Sequence, residues 1–96
     1  MPQSYNAVLQ TRTTIGSADT WIAVSIPIGA RYPLLAMEDS TVTFRVSTDN
    51  SVDPASQGLF VPAAGSYQHE GVNTDTLTLY VSASGTTTAI VVYTQD

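Results

Sequence analysis

The sequence contains no cysteine and no lysine, and its only histidine is His69. Without cysteine the chain can form neither a disulfide framework nor a thiolate metal site, and a single histidine removes the usual zinc sites as well. Only 11% of the 96 residues are charged, against roughly 25% in ordinary soluble domains. The fold must therefore be held together by packing and hydrogen bonds alone, under a polar surface with few charges.

The few charges are mostly negative. Eight acidic residues stand against three arginines, Arg12, Arg31 and Arg45, which gives a formal net charge of -5. Nucleic acids and anionic membranes are bound through clustered lysine and arginine, so we expect neither as a partner. The start of the chain, MPQSYNAVLQTRTT, lacks the basic and apolar regions of a secretion signal, and no run approaches the roughly 18 apolar residues of a membrane span.

Alternation of apolar and polar residues predicts short β-strands. The clearest examples are STVTFRVST (residues 40–48) and DTLTLYVS (residues 75–82), in which every second residue is apolar. Further extended segments are expected at residues 4–12, 20–27, 58–62, 66–70 and 88–94, with turn-forming residues between them. Seven or eight strands at intervals of about 8–12 residues predict one all-β domain over residues 1–96, a small antiparallel β-sandwich or a jelly-roll-like barrel.

Two segments leave alternatives open. Residues 1–10 are either an extended arm or the beginning of the first strand, and we favour the strand. PLLAMEDS (residues 33–40) has the length of a short helical turn, but Pro33 and its brevity favour an irregular strand or a 3₁₀ turn.

Enzymatic chemistry is not expected. His69 and Glu70 are adjacent in YQHEG and are types of residue that serve acid–base chemistry or bind metals, but neighbours in a strand point to opposite faces. We favour two polar residues at a strand end. The chain has no G-x-S-x-G motif and no Gly-rich loop before a helix, and one histidine gives little basis for a catalytic triad. The sequence predicts no enzyme and no cofactor.

Oxygen-bearing side chains of the kind that bind calcium occur in STDNSVDP and VNTD. They are Asp49, Asn50, Ser51, Asp53, Asn73 and Asp75. The EF-hand pattern is not met, because proline and phenylalanine stand where its glycine and glutamate are required. Asp and Asn also cap turns with their own side chains, so we favour turn capping over a loose calcium site.

Aromatic residues are better candidates for binding. Trp21 and the five tyrosines can pack against sugar faces while their NH or OH groups form hydrogen bonds. Trp21 alternates in phase with Ala23 and Ser25 and out of phase with Ile22 and Val24, and either set can face inward. Trp21 is a core residue, an interface anchor or part of a sugar platform, in that order of preference.

The end of the chain, DTLTLYVSASGTTTAIVVYTQD, has no charge between its two terminal aspartates. Its two apolar strands and the SASGTT loop predict a β-hairpin. The last strand is apolar on both faces, and uncharged strands of this kind need cover. We predict an interior strand in a hairpin whose outer face meets another subunit, through Tyr80, Ile90 and Val92 or the residues opposite them.

Further contacts are predicted from residues outside this segment. Trp21 is one, and an ordered N-terminal segment would add Tyr5, Val8 and Leu9. The protein is expected to be a homo-oligomer, a dimer or a trimer, or to be stably bound to a larger particle.

The run GLFVPAAGSYQHEGVNTDTLTLYVSASGTTTAIVVYTQ resembles the C-terminal half of small structural proteins of tailed bacteriophages. In those proteins a PAG-aromatic turn precedes an LYV-S-ASGT strand and turn and a final Val-rich strand. The upstream RYPLLAMEDSTVTFRVSTD is similar to their pattern too, so the resemblance covers roughly residues 31–95.

The resemblance implies a virion protein, first of all a capsid decoration or cement protein that binds the major capsid protein and stabilises the shell. Such a protein is made in the host cytoplasm and lies on the outer capsid surface. The alternative is a head-fibre, adaptor or spike module that binds host-surface carbohydrate.

Overall fold

The computed structural model describes residues 7–69 and 77–95, which form eight β-strands. The strands are β1 (Ala7–Ile15), β2 (Ile22–Ile26), β3 (Ala30–Met37), β4 (Phe44–Ser47), β5 (Leu59–Val61), β6 (Ser66–Gln68), β7 (Leu77–Ala83) and β8 (Thr87–Gln95). No helix long and apolar enough to cross a membrane is found in this part of the chain.

The strands form two four-stranded antiparallel sheets. Sheet A has the order β1-β8-β3-β6, and sheet B has the order β2-β7-β4-β5. The pairs β1–β8, β2–β7, β3–β6 and β4–β5 are nested one inside the next, like a long hairpin rolled into two layers. This is the order of a jelly roll. The predicted all-β antiparallel sandwich is confirmed, and the structure supplies the strand order.

Alternate residues of the strands fill the space between the sheets, because successive side chains in a strand point to opposite faces. The largest fully buried side chains are Ile15, Val24, Ile26, Leu35, Phe44, Leu79, Val81 and Val91. They come from both sheets and form one continuous core. Each contributes about 1.5–3 kcal/mol when it is removed from water, which is the main source of stability in a chain without disulfides.

The two last strands do not form the predicted hairpin. β7 lies between β2 and β4 in sheet B, whereas β8 lies between β1 and β3 in sheet A. Residues 84–86 therefore carry the chain from one sheet to the other. A short connection with a glycine suits a hairpin as well as a change of sheet, so the hairpin prediction was wrong for a reason that local sequence does not reveal. The prediction that the last strand is interior is confirmed.

Strands take up the described part of the first ambiguous segment and most of the second. Residues 7–10 belong to β1, while residues 1–6 lie outside the described part of the chain. PLLAM is part of β3, whose pairing with β8 shifts register between Arg31 and Leu34. Tyr32, inside this irregularity, has a φ of 46°. The irregular strand is thus confirmed, and the 3₁₀ alternative was wrong.

Candidate functional site

The outer face of sheet A has an apolar centre and a polar rim. On the central strands Val92 lies opposite Leu34, and Ile90 lies opposite Ala36. These four residues, which we call the apolar patch, are partly accessible, and Leu34 is 36% exposed. Since directly opposite residues share a face of an antiparallel pair, the patch is one continuous surface over β3 and β8.

Polar residues continue the same rows on the two flanking strands. Gln10 and Arg12 of β1 pair with the patch on one side, and Gln68 and Ser66 of β6 pair with it on the other. Arg12 also forms an exposed ion pair with Glu38. An apolar centre surrounded by a polar rim is the usual composition of a protein–protein interface.

The outer face of sheet B is covered by the loop of residues 48–58, which joins β4 to β5. Trp21, just before β2, donates a hydrogen bond of 2.8 Å from Nε1 to the carbonyl oxygen of Val52. Ser82 of β7, which is only 2% exposed, donates one of 2.8 Å from its hydroxyl to the carbonyl oxygen of Pro54. These two side chains fasten the loop across the sheet.

Aspartate side chains shape the loop from within. The Asp49 carboxylate accepts hydrogen bonds from the hydroxyl and amide of Ser51, at 2.7 and 2.9 Å, and these hold the pKa of Asp49 below its usual value. The pKa of Asp53 is lowered by the Ala55 amide first and the Ser56 hydroxyl second. The same arrangement occurs outside the loop, where Asp39 accepts bonds from Thr41.

These contacts favour turn capping over calcium binding. The carboxylates of Asp49 and Asp53 are each occupied by groups two or three residues further along the chain, as in Asx turns. Within residues 7–69 and 77–95 no three acidic or histidine side chains are grouped so that they could hold a metal ion. Asn73 and Asp75, the other two predicted oxygen ligands, lie outside the described residues.

A cavity of about 190 Å³ opens on the outer face of sheet B beside the 48–58 loop. Its walls come from several strands and connections: Asp19, Thr43, Phe44, Arg45, Pro54, Ala55, Phe60, Ser82 and Ser84. The guanidinium carbon of Arg45 lies 5.0 Å from the centre of the Phe60 ring, within the range of a cation–π contact. The cavity thus combines a cation, a carboxylate, hydroxyl groups and an aromatic ring.

Trp21 is neither a core residue nor a free platform. Its indole is half-buried, its NH is bonded to the loop, and its ring edge lies where a Cβ on Gly58 would approach to 3.1 Å. Sugar platforms use an open ring face and a free polar edge. The alternation left open which set faces inward; the structure shows Ala23 and Ser25 exposed and Val24 buried, and the loop that covers Trp21 follows from the tertiary fold.

The other predicted contact residues fall on different surfaces. Ile90 and Val92 are in the apolar patch, whereas Tyr80 pairs with Ala23 in sheet B and lies on the opposite outer surface. One joint surface through all three is therefore wrong. Leu9 of β1 is half-buried and pairs with Tyr93.

Of the two remaining predicted contact residues, the structure describes only the backbone of one. Val8 pairs with Thr94 in the same ladder as Leu9. Tyr5 lies outside the described residues.

His69 contacts a tyrosine. The Tyr67 hydroxyl and His69 Nδ1 are 3.1 Å apart and share a hydrogen bond, and the two rings are tilted with centres 6.2 Å apart. Glu70, the other member of the predicted pair, lies outside the described residues. His69, the residue after the end of β6, is thus joined to Tyr67 within that strand.

Leu34, Arg45 and Phe60 were not among the predicted site residues, although Ile90 and Val92 of the apolar patch were. Leu34 lies in PLLAMEDS, a segment for which no surface contact was predicted. Arg45 and Phe60 belong to separate strands, which become neighbours only when the sheet forms. One signal was available: Arg45 is on the polar side of the alternating segment STVTFRVST, so its outward position was predictable.

Comparison with protein families, with curated proteins and with solved structures finds no match for this chain. The resemblance to phage structural proteins therefore rests on the strand and turn motifs alone.

Proposed function

We propose that this protein is a virion structural protein that binds to a capsid shell as a decoration or cement protein and stabilises it. The observation that carries the proposal is the apolar patch of sheet A, set in a polar rim across all four strands. The motif resemblance supports the virion context. The fold agrees with it, since eight-stranded jelly rolls recur in viral capsid proteins, although a fold alone does not determine function.

The size of the face suits a specific contact. With strands about 4.8 Å apart and a rise of about 3.4 Å per residue, four strands and a nine-residue β8 span roughly 19 by 30 Å. Standard interfaces bury about 800 Å² on each partner. The outer face of sheet A is therefore of the right order for one such contact.

The charge pattern also favours adhesion through this face. The chain has no lysine, which is the residue that most often keeps exposed strands from associating. The apolar patch itself carries no charge, and the nearest cation, Arg12, is paired with Glu38 at the rim. Burial of the patch against a shell subunit would remove apolar surface from water at roughly 25 cal/mol per Å², and many copies on one particle would add avidity.

The proposal is tested on particles that carry the chain and on particles from which it is omitted. Imaging of the intact particle is expected to show the chain on the outer shell, with sheet A toward the shell. Particles without it should open at a lower temperature. Particles that show no copy of the chain, or that resist heat equally with and without it, would contradict the role.

A matched pair of variants tests the face. Leu34→Lys puts a charge in the apolar patch, and occupancy on the particle is expected to fall at least tenfold. Ala23→Lys puts the same charge on an exposed position of sheet B and should leave occupancy unchanged. Equal occupancy of both variants would refute contact through sheet A.

The homo-oligomer predicted from the sequence belongs to the same proposal. Sedimentation at low micromolar concentration is expected to give a species larger than the 10.2 kDa chain. A stable monomer would refute self-association in solution. Attachment to the shell is tested separately by the particle experiments.

A further inference from the structure

We propose that the cavity on the outer face of sheet B binds one neutral sugar residue, held by Arg45, Asp19 and Phe60. This site uses neither Trp21 nor the tyrosines, and it does not depend on the apolar patch. It would give the protein a second binding activity on the surface opposite the one proposed to face the shell.

Arg45 supplies unused hydrogen-bond donors. Arg45 is half-buried, and its guanidinium packs on Phe60 but donates no hydrogen bond to any residue that the structure describes. A guanidinium has five N–H donors in a planar fork. Packing on the ring restricts the positions open to this fork, so less ordering is needed for it to bind two neighbouring oxygen atoms of a ligand.

Asp19 supplies an acceptor on another wall of the same cavity. Its backbone is held at a φ of 51° while its amide donates a 2.8 Å bond to the carbonyl oxygen of Ala83. A non-glycine residue keeps such a conformation only where its surroundings fix it. Its position at the cavity is therefore built into the fold.

The combination of donors and an acceptor selects the ligand class. Sugar hydroxyl groups both donate and accept, so they match Arg45 and Asp19 together. An anionic ligand matches Arg45 alone, and it would be repelled by Asp19 and by Asp53; the pKa of Asp53 is lowered first by the Ala55 amide, then by the Ser56 hydroxyl and least by the charge of Arg45. A neutral sugar is thus favoured over a carboxylate or phosphate.

Phe60 and the cavity volume limit the ligand to about one ring. Phe60 is 50% exposed, so its ring can pack against the C–H face of a sugar. A volume of about 190 Å³ is below the roughly 300–1,000 Å³ of sites for drug-sized ligands. The side of the cavity that is open to solvent leaves room for the rest of a glycan.

The test is a titration of the isotope-labelled full chain, followed by the backbone amide signals. The probes are D-galactose, D-mannose and N-acetyl-D-glucosamine, with sodium acetate as the anionic probe. At least one sugar is expected to give saturable shifts at Arg45, Ala55 and Ser84, and acetate is expected to give none. The absence of saturable shifts with all three sugars, or shifts with acetate alone, would overturn the proposal.

Variants then assign the binding to the named side chains. Arg45→Lys keeps the charge but loses the planar fork, and Asp19→Asn keeps a side chain that tolerates positive φ; each is expected to weaken sugar binding about tenfold or more. Arg12→Lys is the control on the other sheet and should bind as the original chain does. Unchanged binding in folded Arg45→Lys and Asp19→Asn chains would also overturn the proposal.

Discussion

Trp21 and Val52, 31 residues apart in the chain, are joined by a hydrogen bond of 2.8 Å from the indole NH to the backbone carbonyl oxygen. The bond connects the segment before β2 to the 48–58 loop, and so holds the covering layer of sheet B in place. The only tryptophan of the chain is therefore structural in a specific sense: it orders the loop that forms one wall of the cavity.

Removal of the indole NH is expected to loosen this loop. Trp21→Phe keeps an aromatic ring but leaves the Val52 carbonyl without its donor, and we expect a loss of about 1 kcal/mol in the free energy of unfolding. Urea unfolding measures the loss, and hydrogen exchange should rise mainly at residues 50–57. Tyr80→Phe, on the same face, is the control and should change stability by less than about 0.5 kcal/mol. Equal stability of the two variants would refute the role of the bond.

Gly58 is expected to tolerate no side chain. Its φ is 91°, and an added Cβ would lie 3.0 Å from the Val46 carbonyl oxygen and 3.1 Å from the Trp21 ring. We expect Gly58→Ala to cost about 1–3 kcal/mol. The control is Gly16→Ala, where a Cβ meets nothing within 4 Å, and the thermal midpoint should stay the same or rise. If both alanine variants melt together, the loop does not have the described conformation.

Thr11 offers a route to a more stable protein. Its Oγ1 is buried and has no hydrogen-bond partner among the described residues. Thr11→Val removes this hydroxyl while keeping the shape of the side chain, and is expected to stabilise the fold by about 1 kcal/mol. Thr14→Val, at an exposed position of the same strand, should stay within about 0.5 kcal/mol of the original chain. A destabilised Thr11→Val chain would show that the hydroxyl has a partner.

Stability is expected to fall in acid. The pKa values of Asp39, Asp49 and Asp53 are lowered by hydrogen bonds from amide and hydroxyl groups. The stabilisation is complete above the unfolded-state value of about 3.9, and it is lost as the pH falls from there through the folded-state values, because the unfolded chain binds protons first. Urea midpoints measured from about pH 7 down to about pH 2 follow this loss. The urea midpoint of Asp53→Asn should fall less with decreasing pH than that of the original chain. If the two midpoints fall in parallel, the Asp53 carboxylate does not contribute to the loss.

The alternation of residues predicted the strands well and their assembly poorly. Val42, Phe44 and Val46 were predicted on one face, and all three are buried. Strand β4 nevertheless begins only at Phe44, because the Asp39 carboxylate accepts a hydrogen bond from the Thr41 amide and holds the preceding residues in a turn. Side chains that compete for the backbone move a strand boundary without changing the apolar pattern.

The candidate sites needed information that no local pattern contains. Ile90 and Val92 were one of the two sets predicted to face outward, but Leu34, which completes the apolar patch, lies beyond the register shift in β3. The cavity of sheet B joins Asp19, Arg45 and Phe60 from three separate segments. Which segments meet depends on the nested strand order, and that order is decided by global packing.

The position of β8 has a consequence for how the chain folds. Sheet A is built around this strand, which follows the seven others in the chain and is the only described partner of β1. Ala7 therefore cannot pair until Gln95, its partner in the ladder, has been synthesised. Long-range pairing of this kind makes folding slow. During translation the hydrogen-bonding edges of β1 and β3 that pair with β8 remain without their common neighbour. A nascent chain halted before Thr87 would expose them to chaperones and proteases, and could not complete sheet A after release.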